Sequence, residues 1–391
     1  MRSRFSGVFV ALFGAAMLMV TAGCGGNDSG TPDYGSYPTA RGSADYDGQP
    51  SRSRGILVES LRLGEHILYA SEVDSELTTG RGGGVSAGFR GLKNNVMSAV
   101  TADAADRYNA VAGFGAIAAN MPVQSDDSRA TLLAASIVSF PDEQTATAAA
   151  AEMDRVDFEQ STDNVPVALD ALPGALSHWR PGIPTMGSVM PWRTLVIRMY
   201  TQRPDPDLGR MVDLVTRAFQ RQVALLADFV PTPAAELAKL TLDSDQLLTH
   251  VVRTGDPTPD AWDFAVYGPH PYSALLGRPA TSFDTFSRYG ITAIAVAYDK
   301  HLFRLRDPTA AIEYTKHLAE TDNPDYAPIN GVAGQSGITC AQAKRPDPHS
   351  DKAHRYRCIV THGPYVAQVF SNVDIDVRRL AAAQYLVMGD S

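Results

Sequence analysis

The first residues of this chain that could do chemistry are Gly84-Val85-Ser86-Ala87-Gly88, which fit the G-x-S-x-G pattern of a nucleophile elbow. In that motif a buried strand runs into a helix, and the strained turn between them exposes the serine. Here the preceding residues, Ser75-Glu76-Leu77-Thr78-Thr79-Gly80-Arg81-Gly82-Gly83, are polar and Gly-rich. They predict a loop, so Ser86 is assigned no catalytic role. Ser336, beside Gly334 and Gly337, lacks the spacing and reads as the start of a strand. His349 and His354 share a polar loop with Asp347 and Asp351, a set better explained by solvation than by a metal. Asp299 and His301 fall on one side of a strand and Asp307 at a helix-cap position, which a cross-strand pair and a cap account for. His362 precedes Gly363-Pro364 and reads as a hairpin corner. No P-loop, dinucleotide fingerprint or H-E-x-x-H motif occurs. The sequence thus predicts no catalytic set, no cofactor and no metal. Trp179, Trp192, Tyr200, Trp262 and Tyr267 read as core or domain-interface residues rather than as a ligand cage.

The three cysteines say more. Arg2 and Arg4 precede an uncharged, almost wholly apolar run over residues 5–20, which ends in Thr21-Ala22-Gly23-Cys24. A positive end, an apolar stretch too short to span a bilayer and small residues at a cleavage point make a secretory signal. A cysteine directly after the small residues marks a lipobox: residues 1–23 are removed and Cys24 receives diacylglycerol. Cleavage removes Arg2 and Arg4, so the formal charge moves from −9 to −11. Such acidity argues against nucleic acid as a partner and against a polybasic grip on lipid, so attachment rests on the acyl chains. Cys340 and Cys358 remain as an even pair in an oxidising compartment, which predicts a disulfide across neighbouring strands.

The length and the 44% hydrophobic content allow two cores of ordinary size. Residues 24–54 are rich in Gly, Ser, Asp and Pro and read as a flexible tether, although Tyr34 and Tyr37 make it unusually aromatic. A first unit over 55–235 and a second over 245–391 follow, both α+β. Apolar spacing predicts a helix from about Arg54 to before Asp74, a Gly-rich loop over 75–95 and an Ala-rich helix over 99–112. Strands are expected over 130–140, 175–179 and 194–201, with helices over 143–157 and 208–229. In the second half, 291–305 is a strand pair or one long strand, a helix covers 310–320, strands surround Cys340 and Cys358, and a helix closes the chain. The halves can be laid side by side. Pro141 matches Pro308, Gly174 matches Gly334, Leu195 matches Tyr365 and Gln222 matches Gln384, at offsets of 167, 160, 170 and 162. This predicts an internal duplication of a β-α-β-β-α unit with an antiparallel sheet under helices. Trp179 falls near the position matching Cys340, so the disulfide would belong to the second unit only.

The chain resembles an uncharacterised family of lipoproteins from mycobacteria, nocardiae and their relatives. The resemblance lies in Gly35-Ser36-Tyr37-Pro38-Thr39, the stretch from Ala105-Asp106-Arg107-Tyr108 to Gly113-Phe114, Phe140-Pro141-Asp142 and Ala382-Ala383-Gln384-Tyr385. It implies no activity, cofactor or catalytic residue. The expected product is a lipid-anchored protein on the outer face of the cell membrane. It would bind an apolar or glycolipid ligand, or an envelope protein, in the cleft between its units. The alternative is an envelope hydrolase with an unrecognised site.

Overall fold

The computed structural model describes residues 31–86, 96–123, 126–255, 263–321, 325–345 and 355–389. Cys24 and the loop carrying His349 and His354 lie outside them. The described chain is α+β, with two seven-stranded antiparallel sheets under helices.

In the first unit, helix α1 (Arg52–Gly64) precedes β1 (Thr79–Val85), α2 (Ala99–Arg107), β2 (Ala112–Ala119), β3 (Leu132–Ser139) and α3 (Glu143–Phe158). Then come β4 (Val165–Pro166), β5 (Leu176–Trp179), β6 (Thr185–Trp192), β7 (Leu195–Gln202) and α4 (Leu208–Leu225). The second unit opens with β8 (Phe264–Tyr267), α5 (Pro269–Ser273), α6 (Pro279–Tyr289), β9 (Ile291–Ala297), β10 (Lys300–Leu305) and α7 (Pro308–Thr321). It closes with β11 (Tyr326–Ile329), β12 (Ile338–Ala343), β13 (Tyr356–His362), β14 (Tyr365–Ser371) and α8 (Asp374–Met388). The strand orders are β1-β2-β3-β7-β6-β5-β4 and β8-β9-β10-β14-β13-β12-β11. They are the same order, so the halves are two copies of one architecture.

The repeat is larger than the five elements expected. Residues 79–85 form an edge strand rather than a loop. Glycine carries no apolar pattern to announce a strand, and pairing with β2 is what makes this one. Strand β6 replaces the Pro-rich turn. Pro191 is tolerated there because β5 pairs only as far as Val189, leaving no neighbour that needs the missing N–H. Residues 291–305 form a hairpin, and α1 ends at Gly64, well before Asp74. The caps also correct one offset. Asp142 accepts from Thr145 N–H at 2.7 Å and Asp307 from Ala310 N–H at 2.8 Å, so α3 and α7 align at 165 rather than at the 167 of the prolines.

Side chains alternate across each sheet. Leu195, Ile197 and Met199 of β7 join Met211, Leu214, Val215 and Phe219 of α4 in a large core, while Val196 faces the alanines of α2 and α3. The large core runs on without a break into Leu302, Val369 and Val387 of the second unit. A buried glutamine closes each unit. Gln222 of α4 donates to His66 O at 2.7 Å and accepts from Leu68 N–H at 3.1 Å. Gln384 of α8 donates to His250 O at 2.7 Å and accepts from Val252 N–H at 3.0 Å. Both side chains are fully buried. Between the units, Tyr69 stacks on His270 at 4.4 Å, and Gly80 N–H donates to Gly277 O at 2.9 Å.

The tether reading fails for residues 31–50, which lie docked as a strap. Tyr34, Tyr37 and Tyr46 pack against the core. Asp33 pairs with Arg379 at 2.8 Å, Tyr37 donates to Asp376 at 2.9 Å, and Asp47 accepts from the N–H groups of Leu242 and Asp243 at 2.7 and 2.8 Å. Low aliphatic content hid this, because three tyrosines supply the buried area. Gly35 turns the strap with φ 54°, and a Cβ there would sit 2.9 Å from the Arg379 side chain.

Gln222→Leu removes both partners of a buried N–H and a buried C=O. It is expected to cost about 2–4 kcal/mol, read as a lower denaturant midpoint at unchanged slope. A change below 0.5 kcal/mol, on the order of a surface substitution, would contradict the clamp.

Candidate functional site

The outer face of each sheet is covered by two helices, and the residues between them differ. In the first unit they are small: Ala102 and Ala105 on α2, and Ala146, Ala149 and Ala150 on α3, all fully buried. Alanines let the two helices close on each other along their lengths, and Arg107 pairs with Glu152 across the gap at 2.8 Å. At the equivalent positions of the second unit Ala149 becomes Tyr314, Val138 becomes Phe303, Ser136 becomes His301 and Tyr200 becomes Phe370. Large rings hold α6 and α7 apart.

A cavity of about 450 Å³ opens between them, floored by the outer face of the second sheet. Its walls are Tyr272, Leu276, Phe286, Phe303, Tyr314, Leu318 and Phe370; Arg278, Thr281, Ser282, Thr285, His317 and Thr321 add polar groups. Arg278 is exposed, and no ion pair holds it among the described residues. The rings brace one another, with centroid separations of 5.4 Å for Phe303 and Tyr314 and 6.0 Å for Tyr272 and Phe303, both edge to face. The Tyr272 hydroxyl and His301 Nδ1 share a hydrogen bond of 2.8 Å. Burial pushes the Tyr272 phenol far up, so it stays protonated. Arg357 borders both this cavity and a neighbouring one of about 250 Å³, with its guanidinium 4.6 Å from the Tyr326 ring.

Among the described residues the lining contains no carboxylate. Its hydroxyl–histidine pairs are Tyr272 with His301, and Thr321 with His317 at 3.4 Å on the exposed side of α7. Neither forms a nucleophile, base and orienter in series. What the arrangement can do is enclose an apolar body and meet a polar head.

The first unit uses the same place for charge. His178 Nδ1 lies 3.0 Å from Asp154 Oδ1, and Asp157 lies 3.6 Å from Arg198 and 3.9 Å from His178 Nε2. Burial pushes the Arg198 guanidinium down and Asp157 opposes it; the group remains a cation. The register shows a relocation: Arg198 matches Gln368, whereas Arg357 matches Gly187. Each sheet keeps one buried arginine on its outer face, on adjacent strands. A cavity of about 340 Å³ borders Arg198, Asp157 and Tyr200.

The residues singled out from sequence fall as follows. Ser86 does follow a strand, but an edge strand, and its buried Oγ lies against Gly113. Asp299 pairs with Lys300 at 3.0 Å, His301 enters the cavity and Asp307 caps α7, so the three do not converge. Ser336 sits in an exposed turn, and His362 at its hairpin corner meets the Tyr385 ring edge-on at 4.9 Å. Trp179 donates to Ile183 O at 2.6 Å, Arg193 covers Trp192 at 4.2 Å, and Tyr267 is buried. Trp262, Asp347 and Asp351 lie outside the described residues, as do His349 and His354. No metal-ligating cluster occurs among the described residues, and none of their helices is long and apolar enough to cross a membrane. Sequence reasoning missed the cavity aromatics. Matching the halves at the caps rather than at the prolines would have shown alanine facing tyrosine.

Cys340 and Cys358 form a disulfide between directly opposed positions of β12 and β13, with Cα atoms 4.1 Å apart. The first-unit counterparts are Ser177 and Ser188, opposed in the same way on β5 and β6, not Trp179. Both hydroxyls are buried without a hydrogen-bond partner.

Fold and site together define a duplicated α+β protein whose second copy has opened a ligand-sized aromatic cavity. Family models named as a domain of unknown function (DUF7373) match it, the N-terminal model over residues 46–242 and the C-terminal model over 247–391. The chain belongs to this family. The extracellular domain of PknH from Mycobacterium tuberculosis, a solved structure, is similar at 12% identity over 41% of this chain and 96% of that one. Its TM-score of 0.30 is too low to carry any argument. No curated protein matches.

Ser177→Cys combined with Ser188→Cys is expected to form a second cross-strand disulfide and to stabilise the chain by roughly 3 kcal/mol against its reduced form. Two maleimide-reactive thiols in the unreduced, denatured variant would contradict the equivalence of the two strand pairs.

Proposed function

We propose that this protein is an exported lipoprotein, anchored by diacylglycerol on Cys24, that carries one amphiphilic molecule between α6 and α7. The supporting observation is the exchange of smaller residues for rings at matched positions: Ala149 for Tyr314, Val138 for Phe303 and Ser136 for His301. It leaves about 450 Å³ open where the first unit has helix against helix. That volume lies within the usual range for small-molecule sites, roughly 300–1,000 Å³. Five aromatic rings line it, four of them buried and braced in place, so a ligand meets a largely pre-formed apolar wall. Burying an acyl or ring body there gains about 25 cal/mol per Å² removed from water. The cationic Arg278 and the hydroxyls of Thr281, Ser282 and Thr285 suit a neutral or anionic head such as a sugar or phosphate. A lining without carboxylates puts no like charge against such a head. The reading differs from the expected inter-unit cleft: the cavity lies within the second unit, between α6, α7 and the sheet they cover. The role is capture or carriage, for which an aromatic wall with polar groups at its mouth is suited.

Protein purified from its own host membranes and sprayed under native conditions should show the chain plus one retained amphiphile. Thr285→Trp, which fills the cavity from α6, should lose that mass while keeping its melting temperature within a few degrees. An absent adduct, or equal retention by both forms, would falsify the assignment.

A further inference from the structure

Three large apolar side chains stand exposed at one end of the second sheet. The β9–β10 turn presents Tyr298, 44% exposed, and the corner between β14 and α8 presents Val373 and Ile375, 54% and 55% exposed. Phe370 N–H donates to Asp299 O at 3.1 Å and ties the two corners together. The N-terminal strap arrives at the same end, where Thr31, Pro32 and Asp33 border a groove against Ile375.

Most of the charges around this end are paired locally, with Asp376 and the exposed Asp263 left as acids. Asp33 pairs with Arg379 at 2.8 Å, Asp374 with Arg378, and Asp299 with Lys300 at 3.0 Å. Asp376 accepts from Tyr37 at 2.9 Å and from Ser371 at 2.7 Å. On a mature chain of formal charge −11, this is an apolar patch of low net charge, the kind of face an anionic bilayer repels least. Thr31 is seven residues from Cys24, an extended reach of about 25 Å. Lipid on Cys24 therefore keeps this end of the protein near the membrane.

We infer that this end rests on the bilayer, with Tyr298, Val373 and Ile375 at the headgroup level, where amphipathic and aromatic side chains are favoured. The inference rests on lipidation of Cys24 and adds to it a second, weaker contact. Two contacts fix an orientation; a lipid on a strap alone leaves the body free to turn.

The test uses the full lipidated protein, carrying Ile375→Cys or Val165→Cys labelled with an environment-sensitive dye. Val165 is an exposed position on β4, the outermost strand of the first sheet. Each is bound to vesicles of phosphatidylethanolamine and phosphatidylglycerol doped with a headgroup spin-labelled lipid. Quenching at position 375 is expected to exceed that at 165 several-fold, and a Cys24→Ala form should show neither binding nor quenching. Vesicle-bound protein with equal quenching at both positions, or with none at 375, overturns the orientation but leaves the anchor standing. So does a dye response at 375 that follows protein concentration, which would mark an interface with a second copy. Protein that binds no vesicles in its lipidated form overturns both.

Discussion

A buried primary amide has two donors and two acceptor sites to satisfy, and an open stretch of buried backbone has the complementary need. Gln222 and Gln384 answer one with the other, each spanning a carbonyl and the N–H two residues later. An unmade bond here is costly in a dry core, so last helix and first segment are locked in one register. The lock presses α4 and α8 onto the inner faces of their sheets. With those faces covered, the two units share one continuous core, and the outer faces are left to diverge.

Divergence took the form of volume. Alanine between two helices permits close approach and puts helix against helix, as in the first unit. Tyrosine and phenylalanine at the same positions hold the helices apart. A cavity results without change in topology, because the strand pairing and the clamps do not depend on the outer helices. The buried arginine makes the same point about charge. It stands on β7 in one unit and on β13, the counterpart of β6, in the other, yet each sheet has a buried arginine on its outer face beside a cavity.

The parts of this fold that were legible in the sequence were local or repeated. The offsets of 170 and 162 matched β7 with β14 and Gln222 with Gln384, and the two cysteines are bonded across neighbouring strands as expected. What was missed depends on distant partners. A glycine strand such as β1 has no pattern of its own, and Pro191 reads as a turn until the end of β5 explains it. The strap looks solvated by composition, yet Tyr34, Tyr37 and Tyr46 dock it. The cavity aromatics look like core residues, since both are apolar at helical or strand spacing. Comparison with their counterparts, Ala149 for Tyr314 and Val138 for Phe303, shows what they displace.

The central claim is that the aromatic cavity of the second unit, and not the smaller charged one of about 340 Å³ in the first, holds the ligand. Positions 370 and 200 are equivalent, each bordering the cavity of its own unit, so they make a matched pair of probes. Photoreactive benzoylphenylalanine placed at one or the other in the native host, irradiated in intact cells, would report what lies within reach. The account predicts a covalent adduct of lipid mass at position 370 and an unmodified chain at position 200. Adducts of equal yield at both positions, or at 200 alone, would contradict it.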